Sequence, residues 1–150
     1  MVITNGIIHP VDAPPIPHGF VAWRGERITA VGPMRALPPE DLGQVLDAQG
    51  GHVTPGYVDA HCHLGLFPDS RRYDGVVSDA AGPVAPDFDP LAHADLADRC
   101  LAEALAAGVT TVAIAPGSKN PVGGHIACVR TDGRVLRPFA AWKLALGETP

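Results

Sequence analysis

The sequence predicts an α/β fold: the opening strands and first helix of a parallel (β/α)8 barrel over residues 53–150, preceded by a small β-sandwich segment over residues 1–52, with the barrel completed by another chain. Three observations carry this expectation. The first fifty residues are short β-prone runs broken by prolines. The remainder reads strand, long loop, helix, strand, with both strands continuously apolar. Two histidines, His61 and His63, stand where the first of those strands would end.

Composition bounds what such elements can build. Of 150 residues, 46% are hydrophobic and 18% charged, the balance of a globular chain with a core rather than of a disordered one. A net charge of -5, with Lys and Arg gathered into no basic run, argues against nucleic acid and membrane as partners and leaves a small-molecule substrate or another protein. Cys62, Cys100 and Cys128 are widely separated and odd in number, which fits a reducing compartment better than a disulfide framework. With neither a signal peptide nor an apolar stretch of spanning length, the expected location is cytoplasmic.

In chain order, strands are expected at Met1 to Ile8 and Gly19 to Arg24, then a turn at Gly25-Glu26, and further strands at Arg27 to Val31 and Val45 to Asp47. Pro10, Pro14, Pro15, Pro17, Pro33, Pro38 and Pro39 leave no room for a helix longer than a turn. From Val53 an apolar segment runs to His61 and His63, followed by a loop of about 25 residues, longer than most connections in compact domains. Asp89-Pro90 then reads as an N-cap with Pro at the first helical position. The helix expected over Leu91 to Ala107 carries its apolar face on Ala97, Cys100, Leu101, Ala104 and Leu105, and Gly108 closes it. Val109 to Ala115 is the next strand, ended by Pro116-Gly117-Ser118, and Ala140 to Glu148 would be a third.

Catalytic residues of a parallel barrel lie at the strand C-termini, so one rim would collect His61, His63, Asn120, His125 and Glu148. Side chains at i and i+2 of a strand share a face, which lets His61 and His63 offer two imidazoles to one ion while Cys62 packs on the other side. On spacing alone, His-x-His serves metal ligands and ordinary surface or core histidines equally. Asn120 and His125 follow the second strand and are candidates for substrate contact, although Asn before Pro and the Gly123-Gly124 pair are also ordinary turn chemistry. Asp69, Arg71, Arg72, Tyr73, Asp74 and Asp79, in the loop from Phe67 to Asp87, fit either a lid over a charged substrate or a solvated loop. His9, His18, His52 and His93 fall in turns, a strand approach or a helix face and read as non-ligands, and Asp59 reads as a supporting carboxylate.

The run Pro55-Gly56-Tyr57-Val58-Asp59-Ala60-His61-Cys62-His63 resembles the first-strand signature of the amidohydrolase superfamily. Ile3-Thr4-Asn5-Gly6 and Ile28-Thr29-Ala30-Val31-Gly32 are similar to the N-terminal part of the composite β-sandwich that these enzymes carry. A narrower resemblance, to the imidazolonepropionase-like group, lies in Ala107-Gly108-Val109-Thr110-Thr111-Val112, in Pro116 to Gly124 and in Leu144-Ala145-Leu146-Gly147-Glu148.

The resemblance implies a metal-dependent hydrolase of a C–N bond in a cyclic amide, N-acyl or dipeptide-like substrate, with one or two divalent ions, Zn²⁺ foremost. It implies His61 and His63 as ligands and, for a two-metal site, a bridging carboxylated lysine or glutamate. Lys143 and Glu148 are the candidates here; Glu148 is favoured by its place at the expected strand end, although a helix-capping or surface carboxylate before Thr149-Pro150 explains it equally. Further ligands and the proton-shuttling carboxylate would lie on later strands, so this chain is expected to carry no complete catalytic set and to need a second polypeptide. The other reading is a non-catalytic interaction subunit or a fragment of such an enzyme.

Overall fold

Alternation in the first strand organises the N-terminal half. The computed structural model describes residues 1–39, 43–67 and 82–146 and divides into two compact units, Met1–Pro55 and Gly56–Pro150. In the first unit, β1 (Val2–Ile8) turns Val2, Thr4, Gly6 and Ile8 inward while the residues between stay partly exposed. It pairs antiparallel with β2 (Ile16–Arg24), which pairs antiparallel with β3 (Arg27–Pro33) across the turn at Gly25, whose φ of 58° suits glycine. On its other edge β1 takes β4 (Val45–Asp47) and β5 (His52–Val53), both parallel. The core of this five-stranded mixed sheet is Val2, Phe20 and Ala22, covered by Ala30, Met34 and Leu37 around a 3₁₀ turn at Met34–Ala36.

A bulge interrupts β1 at Asn5, which sits at φ 56°. Its side chain holds the irregularity in place: the amide nitrogen donates to Asp47 Oδ1 at 3.1 Å, and the amide oxygen accepts from His18 Nε2 at 3.2 Å. Asp47 also accepts from the Gln49 amide, and these hydrogen bonds hold its carboxyl below the usual carboxylate range. Gly6 follows because a Cβ there would lie 2.8 Å from Val53 Cγ2.

The second unit contains β6 (Tyr57–Cys62), α1 (Arg99–Ala106), β7 (Val109–Ile114), β8 (Val122–Arg130) and β9 (Val135–Leu144), with sheet order β6-β7-β8-β9. β6 and β7 are parallel with α1 between them, which is the expected strand-helix-strand unit. Leu66, Leu101, Val112, Ile114 and Val129 form the core under α1 and its preceding segment. Thr131 ties β8 to β7 through its hydroxyl, which donates to the Val109 carbonyl at 2.9 Å.

Two expectations are corrected. The helix does not run from Leu91: Asp89 and Pro90 open only a 3₁₀ turn, Pro90–Ala92, and α1 begins at Arg99 with Asp98 as its N-cap. Asp89, Asp95 and Asp98 each accept from the backbone amide two residues on, at 2.9, 2.9 and 2.7 Å. These local bonds compete with helix continuation, and three in ten residues break the segment into turns. The C-terminal end is as expected, with Gly108 at φ 90° and its amide on the Leu105 carbonyl.

The third parallel strand at Ala140 to Glu148 is also not formed. β8 and β9 are instead an antiparallel hairpin continuing from β7. Asp132-Gly133 makes the turn, with Gly133 at φ 89° and the Arg134 amide on Asp132 Oδ1. So short a connection can only reverse the chain, since a parallel partner needs a crossover of a dozen residues or more. The chain is therefore mostly β, two mixed sheets and one α-helix among the described residues, and the full α/β barrel is not formed by these elements. No helix there is long and apolar enough to cross a membrane.

The packing yields a stability test on the whole chain. Leu101→Ala, at a side chain 1% exposed, should cost about 2–5 kcal/mol in chemical denaturation. Asp98→Ala, which removes the cap of α1, should cost about 1 kcal/mol. Val58→Ala, at a side chain 67% exposed, should stay within about 0.5 kcal/mol.

Candidate functional site

β6 lies at one edge of the second sheet, and its end carries the candidate ligands. Cys62 packs against the core beside its register partner Ile114, and burial pushes its thiol pKa up. By alternation His61 and His63 project from the opposite side, His61 exposed and His63 half-buried. Their ring centroids are 5.2 Å apart and the planes cross at 79°.

Two imidazoles held tetrahedrally by one ion, at about 2.0–2.1 Å per bond, would have centroids about 5 Å apart. Rings in edge-to-face contact fall in the same range, so the spacing does not choose between them. The hydrogen bond of His63 adds its tautomer. Its Nδ1 lies 2.7 Å from the carbonyl oxygen of Ala115, just past the end of β7. A carbonyl only accepts, so Nδ1 carries a proton, and in the neutral ring Nε2 keeps its lone pair, a tautomer that metal-ligating histidines also use. The donor chemistry therefore fits a divalent metal at this pair. Among the described residues no group of three or more His, Cys, Asp or Glu converges to hold an ion.

The surroundings disfavour the charged form of His61. Desolvation pushes its pKa down, the Lys143 ammonium and the neighbouring His63 push it further down, and Asp59 opposes them. Lys143 is the one partly buried position of β9, and its stem lies over Gly123, where a Cβ would come within 3.1 Å of it. Asp59 accepts from the backbone amide of His61 at 3.1 Å and so supports the strand irregularity between Asp59 and Cys62.

The other predicted residues lie elsewhere. Asn120 is 2% exposed and its amide nitrogen donates to the Gly82 carbonyl at 2.6 Å, tying the segment before β8 to the residues that lead into the 3₁₀ turn at Pro90–Ala92. His125 pairs in register with Trp142, and its ring meets Phe139 and Trp142 edge-on at 4.8 and 4.9 Å. Trp142 and Lys143 are consecutive in β9 and face opposite sides, so His125 sits across the sheet from the side where Lys143 acts on His61. Glu148 lies outside the described residues, as do Asp69, Arg71, Arg72, Tyr73, Asp74 and Asp79. The Ala115 carbonyl is what sequence reading does not reveal, because a backbone atom leaves no residue signature, whereas Lys143, a bridging candidate from the sequence, lies close enough to influence His61.

No protein-family model matches the chain. It is 36% identical over 144 residues to the imidazolonepropionase of Anaeromyxobacter dehalogenans (strain 2CP-1), a match covering 78% of this chain and 33% of that protein. A shorter stretch of 56 residues is 41% identical to the imidazolonepropionase of Yersinia pestis (strain Pestoides F), covering 37% of this chain and 14% of that one. The crystal structure of an amidohydrolase from Thermotoga maritima MSB8 superposes with a TM-score of 0.86 at 32% identity, over 99% of this chain and 39% of that one. This chain thus spans about a third of the length of the curated relatives that match most of it. Strand order, the ring pair at the end of β6 and these likenesses agree: over the part of those proteins that it spans, the chain belongs to the amidohydrolase superfamily.

Proposed function

We propose that this chain carries the first metal-ligating strand of a hydrolase that cleaves a C–N bond in a cyclic amide, N-acyl or dipeptide-like substrate, within a (β/α)8 barrel whose remaining strands lie outside this stretch. The observation that carries the reading is the hydrogen bond from His63 Nδ1 to the Ala115 carbonyl, because it presets Nε2 as a ligand. Amidohydrolases are a metal-dependent family, and the relatives named imidazolonepropionase support a cyclic C–N substrate. A bound Zn²⁺, alone or as one of two, would supply a water acidic enough to ionise near neutral pH and would polarise the scissile carbonyl.

The residues of this chain bind and orient. His63 would hold the ion through Nε2 while Ala115 keeps its ring from rotating. His61 would join it as a neutral imidazole, a state that its desolvation and the Lys143 charge favour. Of the two bridging candidates, Lys143 lies close enough for its charge to lower the His61 pKa, and Glu148 lies outside the described residues. Exposed Tyr57 and Val58 on β6, an edge strand among the described elements, support the addition of further barrel strands.

Two measurements test this reading. Co-expressed with a polypeptide carrying the remaining strands, the chain should retain one or two metal equivalents. His61→Ala combined with His63→Ala should remove the metal and lower hydrolysis by more than the about 10–100-fold that loss of an outer hydrogen-bond partner costs. Metal content and turnover unchanged by that pair of substitutions would sink the proposal. Lys143→Met should move the protonation of the His61 imidazole, followed by NMR in metal-free protein, to higher pH than in the wild type. An unmoved titration would remove Lys143 from the site.

A further inference from the structure

We propose that Asn5 is a guarded modification site: Asp47 and His18 hold its carboxamide away from the Gly6 amide, and loss of that hold converts Asn5 to aspartate and isoaspartate with release of ammonia. The chain has two asparagines. Asn120 precedes Pro121, whose nitrogen bears no hydrogen, so Asn5-Gly6 is the pair in which an asparagine can react with the next backbone amide. The fold requires both members of that pair. Asn5 sits at φ 56°, a left-handed conformation that asparagine and glycine adopt at less cost than other residues. Gly6 is buried, and a Cβ there would lie 2.8 Å from Val53 Cγ2 and 3.1 Å from Ile8 Cδ1. Packing thus fixes, beside the carboxamide, the one residue with no side chain to obstruct attack by its nitrogen.

The reaction takes place within these two residues. The Gly6 nitrogen gives up its proton and bonds to Asn5 Cγ, the bond from Cγ to Nδ2 breaks, and Nδ2 takes up a proton and leaves as ammonia. The product is a five-membered succinimide. Water opens it at Cγ to give aspartate, or at the former backbone carbonyl to give isoaspartate, in which the chain runs through Cβ and Cγ. One water enters and one ammonia leaves, with no change of oxidation state.

The geometry holds back the first step. A carboxylate only accepts, so the Asn5 amide nitrogen faces Asp47 Oδ1, at 3.1 Å, and the amide oxygen faces His18 Nε2, at 3.2 Å. Those partners stand on β4 and β2, the strands on either side of β1, so the carboxamide is gripped from both ends and cannot turn toward Gly6 while both bonds hold. The backbone is held as well, the Asn5 carbonyl accepting from the Gly50 amide at 2.7 Å. Attack therefore needs a local opening. That opening is small, because β4 pairs with β1 over three residues and Asp47, the last of them, is exposed.

The product undoes the join that guarded it. A carboxylate at position 5 offers Asp47 no hydrogen and sets two negative groups side by side. Isoaspartate also adds a carbon to the backbone of β1 and disturbs the alternation that turns Val2, Thr4, Gly6 and Ile8 inward. Modification thus loosens β4 from β1.

Peptide mass spectrometry of the full chain, incubated folded at mildly alkaline pH, tests this, with the denatured wild-type chain giving the unguarded rate. Asp47 is exposed and lies outside the core of Val2, Phe20 and Ala22, so its substitution leaves that core in place. A hydrogen bond to a carboxylate favours the closed form by at least about tenfold, so Asp47→Ala should speed deamidation at Asn5 by that factor over the folded wild type. Asp47→Asn, which keeps an accepting oxygen, should fall between the two. Leu46→Ala, at an exposed neighbour in β4, should match the wild type. A folded wild type that deamidates as fast as the denatured chain, a rate unchanged by Asp47→Ala, or an equal acceleration by Leu46→Ala overturns the proposal.

Discussion

The ends of β6 and β7 are joined by two short bonds, the Ala115 amide to the Cys62 carbonyl at 2.9 Å and His63 Nδ1 to the Ala115 carbonyl at 2.7 Å. Ala115 thus donates to the residue before His63 and accepts from His63 itself, and it is fully buried while doing so. This junction decides the rest of the second unit. It sets which residue of β6 meets Ile114, hence that Cys62 faces the core, and by alternation that both histidines face the other way. A one-residue slip would bury the imidazoles and expose the thiol.

Around that junction the sheet is finished on one side only. Leu66, Leu101, Val112, Ile114 and Val129 close the face under α1, and Gly124, at φ 100° with room for no Cβ against the Phe88 carbonyl, lets the segment before the helix lie against β8. β9 by contrast is exposed at every position except Lys143, including Phe139 and Trp142. Among the described residues of the second unit, a buried setting on the sheet lies where β7 and the start of β8 come together beside the end of β6. Lys143 reaches that region because Gly123 leaves space for its stem.

Much of the fold was legible in advance because it rests on local chemistry. The four longer strand runs of the first unit follow from β-branched content between prolines, and Gly25 and Gly108 end their elements for the reason expected, a backbone conformation that glycine alone adopts easily. The helix start was misplaced because Asp89 and Pro90 form a good N-cap signature and nothing in that pair registers Asp95 and Asp98 downstream, which cap their own turns. The hairpin was missed although Asp132-Gly133 between two alternating runs announces it. Of the candidate site, His61 and His63 were legible and are brought together, whereas Asn120 and His125, grouped with them by chain order, are separated from them by burial and by strand parity.

By itself the sequence determined strand-forming runs, turn positions, the pairing of two imidazoles on one strand face and the kinship with amidohydrolases, since each depends on residues close together in the chain or on motif likeness. Only the tertiary structure decided that a carbonyl 52 residues away fixes the tautomer of His63, that desolvation together with the charge of Lys143 on β9 lowers the pKa of His61, and that the His9 and His52 rings meet within hydrogen-bond distance. Those contacts arise from strand register, and register is set by which side chains pack across a sheet, a property of the assembled fold that no local stretch of sequence contains.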